Sequence, residues 1–288
     1  MKSNRLRPPP APGAAGRFAR FTALVAAAAG DGERLLKACR HQRGRRHVHA
    51  LRVASRRLQA YLQLASAVLP AAPRRAARRA LADVLEALGR FRDATVQRAL
   101  AGALVPDLEA AGELDRLLAR RERRQRRAAV AALKRLRLRG SLQAAVAALG
   151  ARVGRAGIDR RLDQGLRRVL LRDWERMVER WPREAADTAA FHRARVALKR
   201  YRYAVEALPA VLGRRHGLGM ATLKQRQRQL GELHDDELLL ARVTTWVARG
   251  KLPPSLWHAL QPVVARRIAR LRRACLAGPP AFVASGGI

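Results

Sequence analysis

The strongest constraint on the fold of this chain is that two stretches of its sequence each occur twice. The segment HALRVASRRLQ at 49–59 returns as HRARVALKRYR at 192–202, and both copies place a histidine, an arginine and a second cation at offsets of zero, three and seven. A second pair, LGRFRDATV from residue 88 and LGELHDDEL from residue 230, follows the two histidines at nearly equal intervals. One internal duplication explains both pairs and predicts two similar structural units.

The residue composition of both halves indicates helices. Alanine, leucine, arginine and glutamate are abundant, β-branched residues are sparse, and apolar residues recur at steps of three and four. Because the helices fall into two groups of four, we predict an all-α fold, a tandem pair of four-helix bundles of long antiparallel helices related by pseudo-twofold symmetry. Proline and glycine place these eight helices at 17–43, 46–69, 73–104, 107–138, 157–181, 184–208, 217–249 and 254–276.

These helices set the predicted domain limits. One domain covers 17–276, with a first four-helix unit at about 17–140 and a second at about 155–276. The basic, proline-rich segment 1–16 and the segment 277–288 have compositions typical of disordered tails.

The charge balance points to an anionic partner. The chain has 60 lysine and arginine residues and 22 acids, a formal net charge of +38, and such a field attracts polyanions. Two cysteines, Cys39 and Cys275, are too few for a disulfide framework and are predicted to lie in the core. No apolar run reaches the roughly 20 residues that span a bilayer, so we predict a cytoplasmic location without membrane association.

The repeated motifs gather their cations on one side of a helix. At 100° per residue, the leucines Leu51, Leu58 and Leu62 fall on the opposite side of the first motif, and Leu198, Tyr201 and Val205 do so in the second. The first cation row spans about 10 Å, which suits a repeating anion better than a single small one. The predicted rows are His49, Arg52, Arg56 and Gln63 in one copy, and His192, Arg195, Lys199 and Arg202 in the other.

The third helix of each unit adds a related face. We predict that its glycine allows close helix approach, and that Asp93 and Asp235 orient a histidine or arginine through a charge-assisted hydrogen bond. The two faces comprise Arg75, Arg79, Glu86, Gly89 and Asp93 in one copy, and Lys224, Arg228, Gly231 and Asp235 in the other.

Simpler interpretations compete with a binding site. A cation-rich helix face is ordinarily a solvated one, and only the duplication argues against that interpretation here. The run RRERRQRR at 120–127 is equally consistent with direct contact to a ligand and with a contribution to the general positive field of the protein. No phosphate-binding loop, nucleophile setting or carboxylate cluster is recognisable, so we predict no catalytic residue, no cofactor and no metal site.

With these four motifs in place, the sequence resembles the CHAD family, α-helical domains named for their histidines. The resemblance extends from about 17 to 276 and rests on HVHALRVASRRLQAYLQL, LGRFRDATV, FHRARVALKRYRYAVEAL and LKQRQRQLGELHDDELLL in this order. It implies a duplicated pair of helical bundles with a basic surface between them that binds inorganic polyphosphate, and targeting to polyphosphate granules.

Carried onto this chain, the resemblance implies two basic sets. The sequences of the two third helices differ from each other, because their cations stand at different positions and RFRD in one copy is matched by ELHD in the other. We therefore expect noncatalytic polyphosphate binding, with nucleic-acid binding and phosphate transfer as the alternatives. The implied sets are His49, Arg52, Arg56 and Arg57, and His192, Arg195, Lys199 and Arg202; Arg75, Arg79, Lys224 and Arg228 are the expected contacts from the third helices.

Overall fold

A computed structural model describes residues 16–41, 45–104, 111–212 and 219–280, and every regular element within these ranges is a helix. The prediction of an all-α fold is therefore confirmed. A 3-10 turn, Ala65–Ala67, follows the second helix. The α-helices are α1 (Arg17–His41), α2 (Arg45–Leu64), α3 (Ala71–Leu104), α4 (Ala111–Arg135), α5 (Leu138–Gly150), α6 (Ile158–Glu179), α7 (Thr188–Leu212), α8 (Met220–Ala248) and α9 (Pro254–Leu276).

Helix α2 shows how the first repeated motif orients its charges. Leu51, Leu58 and Leu62 are completely buried, as their helical spacing predicts. Because these leucines face the core, Arg52 and Arg56 point away from it. Both arginines are half-buried. The placement of Gln63 with the cations is wrong, because this side chain is buried and donates a hydrogen bond to Asp173 of α6.

The predicted helix 107–138 is too long at its C-terminal end, and a further helix follows it. Arg40 of α1 reaches the end of α4 and donates to the carbonyl oxygens of Leu133 and Leu136 at 3.0 and 2.7 Å. A cation that satisfies terminal carbonyls in this way stabilises the end of a helix. The unpredicted helix α5 then packs against α1 and α3 through buried residues such as Leu142.

The limits of α7 also differ from the predicted 184–208. Asp187 caps the helix at its start, because its Oδ1 accepts a hydrogen bond from the backbone N–H of Ala190 at 2.8 Å. At the other end the helix continues through Pro209 to Leu212. Val211 and Leu212 are buried, and their burial offsets the backbone hydrogen bond that the proline cannot make.

The packing of the helices creates a central region between the two halves of the chain. Helix α2 lies against α3, and α7 lies against α8, while across the halves α2 contacts α7 and α3 contacts α8. The helices that carry repeated motifs therefore meet their own counterparts. This arrangement is consistent with a pseudo-twofold axis, although the symmetry and the unit limits near 140 and 155 stay predictions.

A close contact fixes α6 against the 3-10 turn. A Cβ atom added at Gly165 would lie only 2.6 Å from the Cβ atom of Ala67, so this position has room for no larger residue.

The remaining predictions about the chain fall on its core and its ends. Cys39 and Cys275 are buried and unpaired, as predicted, and burial raises the pKa of each thiol to about 11. The predicted tails lie almost entirely outside the described residues. Within the described ranges, no helix is long and apolar enough to cross a membrane.

Candidate functional site

Four cations from the repeated motifs lie close to one another in the central region. Arg52 and Arg56 come from α2, and Arg195 and Lys199 come from α7. All four are half-buried, and they are near enough for their charges to perturb one another. The structure thus brings both copies of the repeated motif to one place.

A fifth cation, Arg92 of α3, is held by two aspartates. Its Nη1 and Nη2 donate to the two carboxylate oxygens of Asp235 at 2.7 and 2.9 Å, and Nη1 also lies 3.2 Å from Oδ1 of Asp93. Burial acts to lower the pKa of Arg92, but hydrogen bonds to Asp235 and Asp93 raise it overall. The predicted role of the aspartates in orienting a cation is confirmed, and Arg92 is the cation.

We refer to these seven residues as the central cluster. Two negative charges face five positive ones, and both negative charges are engaged by the same arginine. The cluster therefore carries a large excess of positive charge in a partly desolvated place. Its members are Arg52, Arg56, Arg92, Arg195 and Lys199 with Asp93 and Asp235.

Lys199 shows how unfavourable this concentration of charge is. Burial, followed by the charges of Arg195 and Arg56 and two further arginines, lowers its pKa to about 7 from an ordinary 10.5. A lysine ammonium beside a carboxylate would show the opposite shift. Near pH 7 a substantial fraction of Lys199 is therefore uncharged in the free protein.

The donors of the other motif cations are largely unused. Arg52 donates to the carbonyl oxygen of Leu85 at 3.3 Å, and Arg56 to Gln59 at 3.3 Å, whereas the buried Nε of Arg195 has no hydrogen-bond partner among the described residues. Burial lowers the pKa of all three guanidinium groups. Within the ranges that the structure describes, no salt bridge is formed by four cluster members: Arg52, Arg56, Arg195 and Lys199.

A pair of histidines borders the cluster. The rings of His192 on α7 and His234 on α8 lie 5.5 Å apart between centroids and are tilted by 49°. Burial, with the positive charge of Arg195 next in importance, lowers the pKa of His234 to about 4. His234 is therefore neutral at pH 7 and adds hydrogen-bonding capacity without adding charge.

The glycines of the third helices differ from their predicted role. A Cβ atom added at Gly89 or at Gly231 would meet no atom within 4 Å, so neither residue mediates close packing between helices. Both are half-buried and lie one turn before the aspartates of the cluster. Each leaves open space at its position on the helix.

The other predicted site residues differ in burial and in the partners that they already have. Arg202 is buried and donates to Gln227 at 2.5 Å and to Glu206 at 2.6 Å, and Glu206 also pairs with Arg57 at 3.4 Å. Arg202 and Arg57 therefore already donate to acceptors within the protein. The remaining predicted residues are exposed to solvent: His49, Arg75, Arg79, His192, Lys224 and Arg228.

The sequence prediction missed two residues of this region. Arg92 and His234 occupy the same position of the second motif, directly before its aspartate. A position that differs between the two copies gives no repeat signal, so the duplication could not identify them. The available clue was that each residue directly precedes an aspartate.

Comparisons with known proteins agree with this architecture. The model of the CHAD domain family matches residues 26–244. The crystal structure of the CHAD domain from the plant Ricinus communis is similar with a TM-score of 0.65 and 23% identity, covering 97% of this chain and 99% of that chain. PptA from Streptomyces chartreusis has a TM-score of 0.67 and 21% identity, covering 92% of this chain and 98% of that chain. No match is found among curated proteins. The matched family model spans most of the sequence and both repeated motifs, so this chain belongs to the CHAD domain family.

Proposed function

We propose that this protein binds inorganic polyphosphate noncatalytically through the central cluster. The observation that carries the proposal is that Arg52, Arg56, Arg195 and Lys199 are gathered in one half-buried place, and that none of them forms a salt bridge with an acid among the described residues. Such an arrangement is costly in the free protein, because burial and mutual repulsion both disfavour the charges. Bound phosphates would reverse both effects by supplying anionic acceptors.

The layout of the surrounding cations favours a polymer over a single phosphate. Arg79 lies 14 residues before Asp93 on the same side of α3, a distance of about 21 Å along the helix. Lys224 and Arg228 similarly precede Asp235 on α8. A chain of phosphates held in the cluster could therefore reach exposed cations beyond it. Polyphosphate is also the ligand that the resemblance to the CHAD family implies.

Competition binding tests this function against the nucleic-acid alternative. At physiological ionic strength, we expect long-chain polyphosphate to displace duplex DNA and RNA from the protein at least about tenfold more effectively per phosphate than either displaces polyphosphate. The physical reason is that the partly buried cluster admits a thin, flexible chain more easily than a nucleic acid with sugars and bases. Equal displacement by all three polymers would leave only a generic attraction between opposite charges.

Binding should also be coupled to the uptake of a proton by Lys199. Phosphates near Lys199 should raise its pKa from about 7, so above pH 7 the complex holds more protons than the free protein. Affinity should therefore fall as the pH rises from 7 to 9, by up to about tenfold per pH unit. Calorimetry in buffers of different ionisation enthalpy would measure the proton directly.

The groups that face Lys199 identify the control for this titration. Arg52 and Arg56 from α2, Arg92 from α3 and Arg195 from α7 stay protonated throughout the pH range. A Lys199→Arg variant keeps the positive charge without a titratable amine, and should bind with little proton uptake over the same range. Proton uptake that is unchanged in this variant would assign the titration to another group.

We further infer that polyphosphate binding targets the protein to polyphosphate granules. A noncatalytic protein that holds the polymer without consuming it would stay associated with any body rich in that polymer.

A further inference from the structure

The outer face of α4 carries a row of cations that lies outside the central cluster. Its members recur at intervals of three, four and seven residues, so they fall on one stripe of the helix. At 1.5 Å per residue the row spans about 27 Å. We call this row the α4 ladder, and it consists of the exposed residues Arg116, Arg120, Arg123, Arg127 and Lys134.

The acids of α4 do not neutralise the ladder. Glu122 is buried, accepts a hydrogen bond from Thr95 at 3.0 Å and pairs with Arg98 of α3 at 3.4 Å. Asp115 accepts from Nε of the same arginine at 2.8 Å. The remaining acid, Glu113, lies in the first turn of α4, before the ladder begins. The ladder therefore keeps its positive charge along its whole length.

The ladder faces away from the central cluster. Leu118 and Leu133 on the opposite face of α4 are buried, and α4 packs against α3 and α1. On the inward edge, Arg121 donates to Gln97 of α3 at 3.0 Å. The width of a helix, about 10 Å, thus separates the ladder from α3. The inward edge of α4, at Arg121, is within electrostatic reach of Asp93 of the cluster, whereas the ladder lies on the outer face of the same helix.

We propose that the α4 ladder is a second polyphosphate site, which lets one protein molecule bridge two segments of polymer. The proposal rests on the proposed function, since it takes polyphosphate to be the ligand of the central cluster. Like charges three and four residues apart destabilise a helix, and a polyanion along the row would remove that repulsion. Helix α4 has no aromatic residue on which nucleic-acid bases could stack, and a single row suits one flexible chain.

A bridging assay tests the second site directly. Short polyphosphate chains labelled with a donor or an acceptor fluorophore are mixed with the protein, and energy transfer reports that two chains are held together. The ladder variant has glutamine at Arg116, Arg120, Arg123 and Arg127. The scattered variant removes the same charge from four exposed arginines on other elements: Arg160, Arg168, Arg249 and Arg270.

We expect the ladder variant to lose bridging by at least about fivefold while its affinity for a single short chain changes by no more than about twofold. The scattered variant should bridge like the unmodified protein. Bridging by the ladder variant that equals bridging by the scattered variant would overturn the second site. If the ladder variant bridges polyphosphate normally but loses affinity for duplex DNA, the ladder is a nucleic-acid site instead. This result would also overturn the proposal.

A third variant separates this proposal from the proposed function. The central variant has glutamine at Arg52, Arg56, Arg195 and Lys199. If it keeps full affinity for a short chain, the central site is wrong, whatever the ladder does. Selective loss of bridging in the ladder variant would still support the ladder as a polyphosphate site. If the ladder and central variants lose the same affinity for a short chain, the two surfaces are not independent sites, and bridging through the ladder is refuted.

Discussion

The central variant should lose polyphosphate affinity by at least about 100-fold, because charge-assisted hydrogen bonds to phosphate are each worth roughly 1.5–3 kcal/mol. The four substitutions spare Leu51, Leu58 and Leu198, which are completely buried, so the helices should persist. Titration of labelled polyphosphate at fixed ionic strength gives the affinity, and circular dichroism checks the fold.

The scattered variant is the matched control, since it lowers the net charge by the same amount at exposed positions. If a dedicated site exists, the central variant should lose at least about 1.4 kcal/mol more binding free energy than the scattered variant, a tenfold difference in affinity. Equal losses of affinity in the central and scattered variants, with both proteins folded, would falsify the central cluster as a site. Binding would then be explained by the positive field of the whole chain alone.

The same variant has a second expected property that a merely structural cluster would not show. Its four cations repel one another and form no salt bridge among the described residues. Removing them should therefore raise the stability of the ligand-free protein by on the order of 1 kcal/mol, roughly 1.5–2 °C in Tm. Added polyphosphate should then raise the Tm of the unmodified protein more than that of the variant.

The register of the motif helices could be predicted because it depends on local periodicity. Leucines at three- and four-residue spacing must face the core, and this fixes the directions of Arg52 and Arg56 without knowledge of any other helix. The same reasoning failed for Gln63. Its polar side chain is buried by pairing with Asp173 of α6, and periodicity alone cannot reveal a partner 110 residues away.

The pairing between the halves could not be predicted for a related reason. Asp235 holds Arg92 only because α3 and α8 contact each other, and the docking of two units depends on many contacts that no single motif encodes. Helix α5 was missed because 139–150 contains Gly140 and Gly150, which weaken helical propensity. The helix is instead stabilised by tertiary packing, because its apolar residues are buried against the rest of the core: Leu142, Ala145 and Leu149.

These contacts suggest how one half of the protein depends on the other. Each of the two aspartates follows the glycine of its own repeat, yet both converge on a single arginine. Asp235 thereby fixes Arg92 at the centre, while Arg195 and Lys199 reach the same place from α7. Neither half contains the whole cluster, so the central cluster forms only when the two halves pack together.

Binding should weaken steeply as salt is added, because each phosphate contact releases condensed counterions. With four or five cations engaged, the affinity for long polyphosphate should fall by roughly 100-fold or more between about 50 and 200 mM salt. The slope of log affinity against log salt should be shallower in the central variant by about three, since contacts have been removed. Fluorescence anisotropy across a salt series measures both slopes.

Chain length provides the complementary measurement. Triphosphate carries too few phosphates to contact the motif cations on α2 and α7 together with the exposed cations of α3, such as Arg79. It should therefore bind far more weakly than the long polymer and show a shallower salt slope, because linked contacts act at high effective concentration. Equal affinities for triphosphate and long polyphosphate would refute an extended site and reduce the central cluster to a pocket for one small anion.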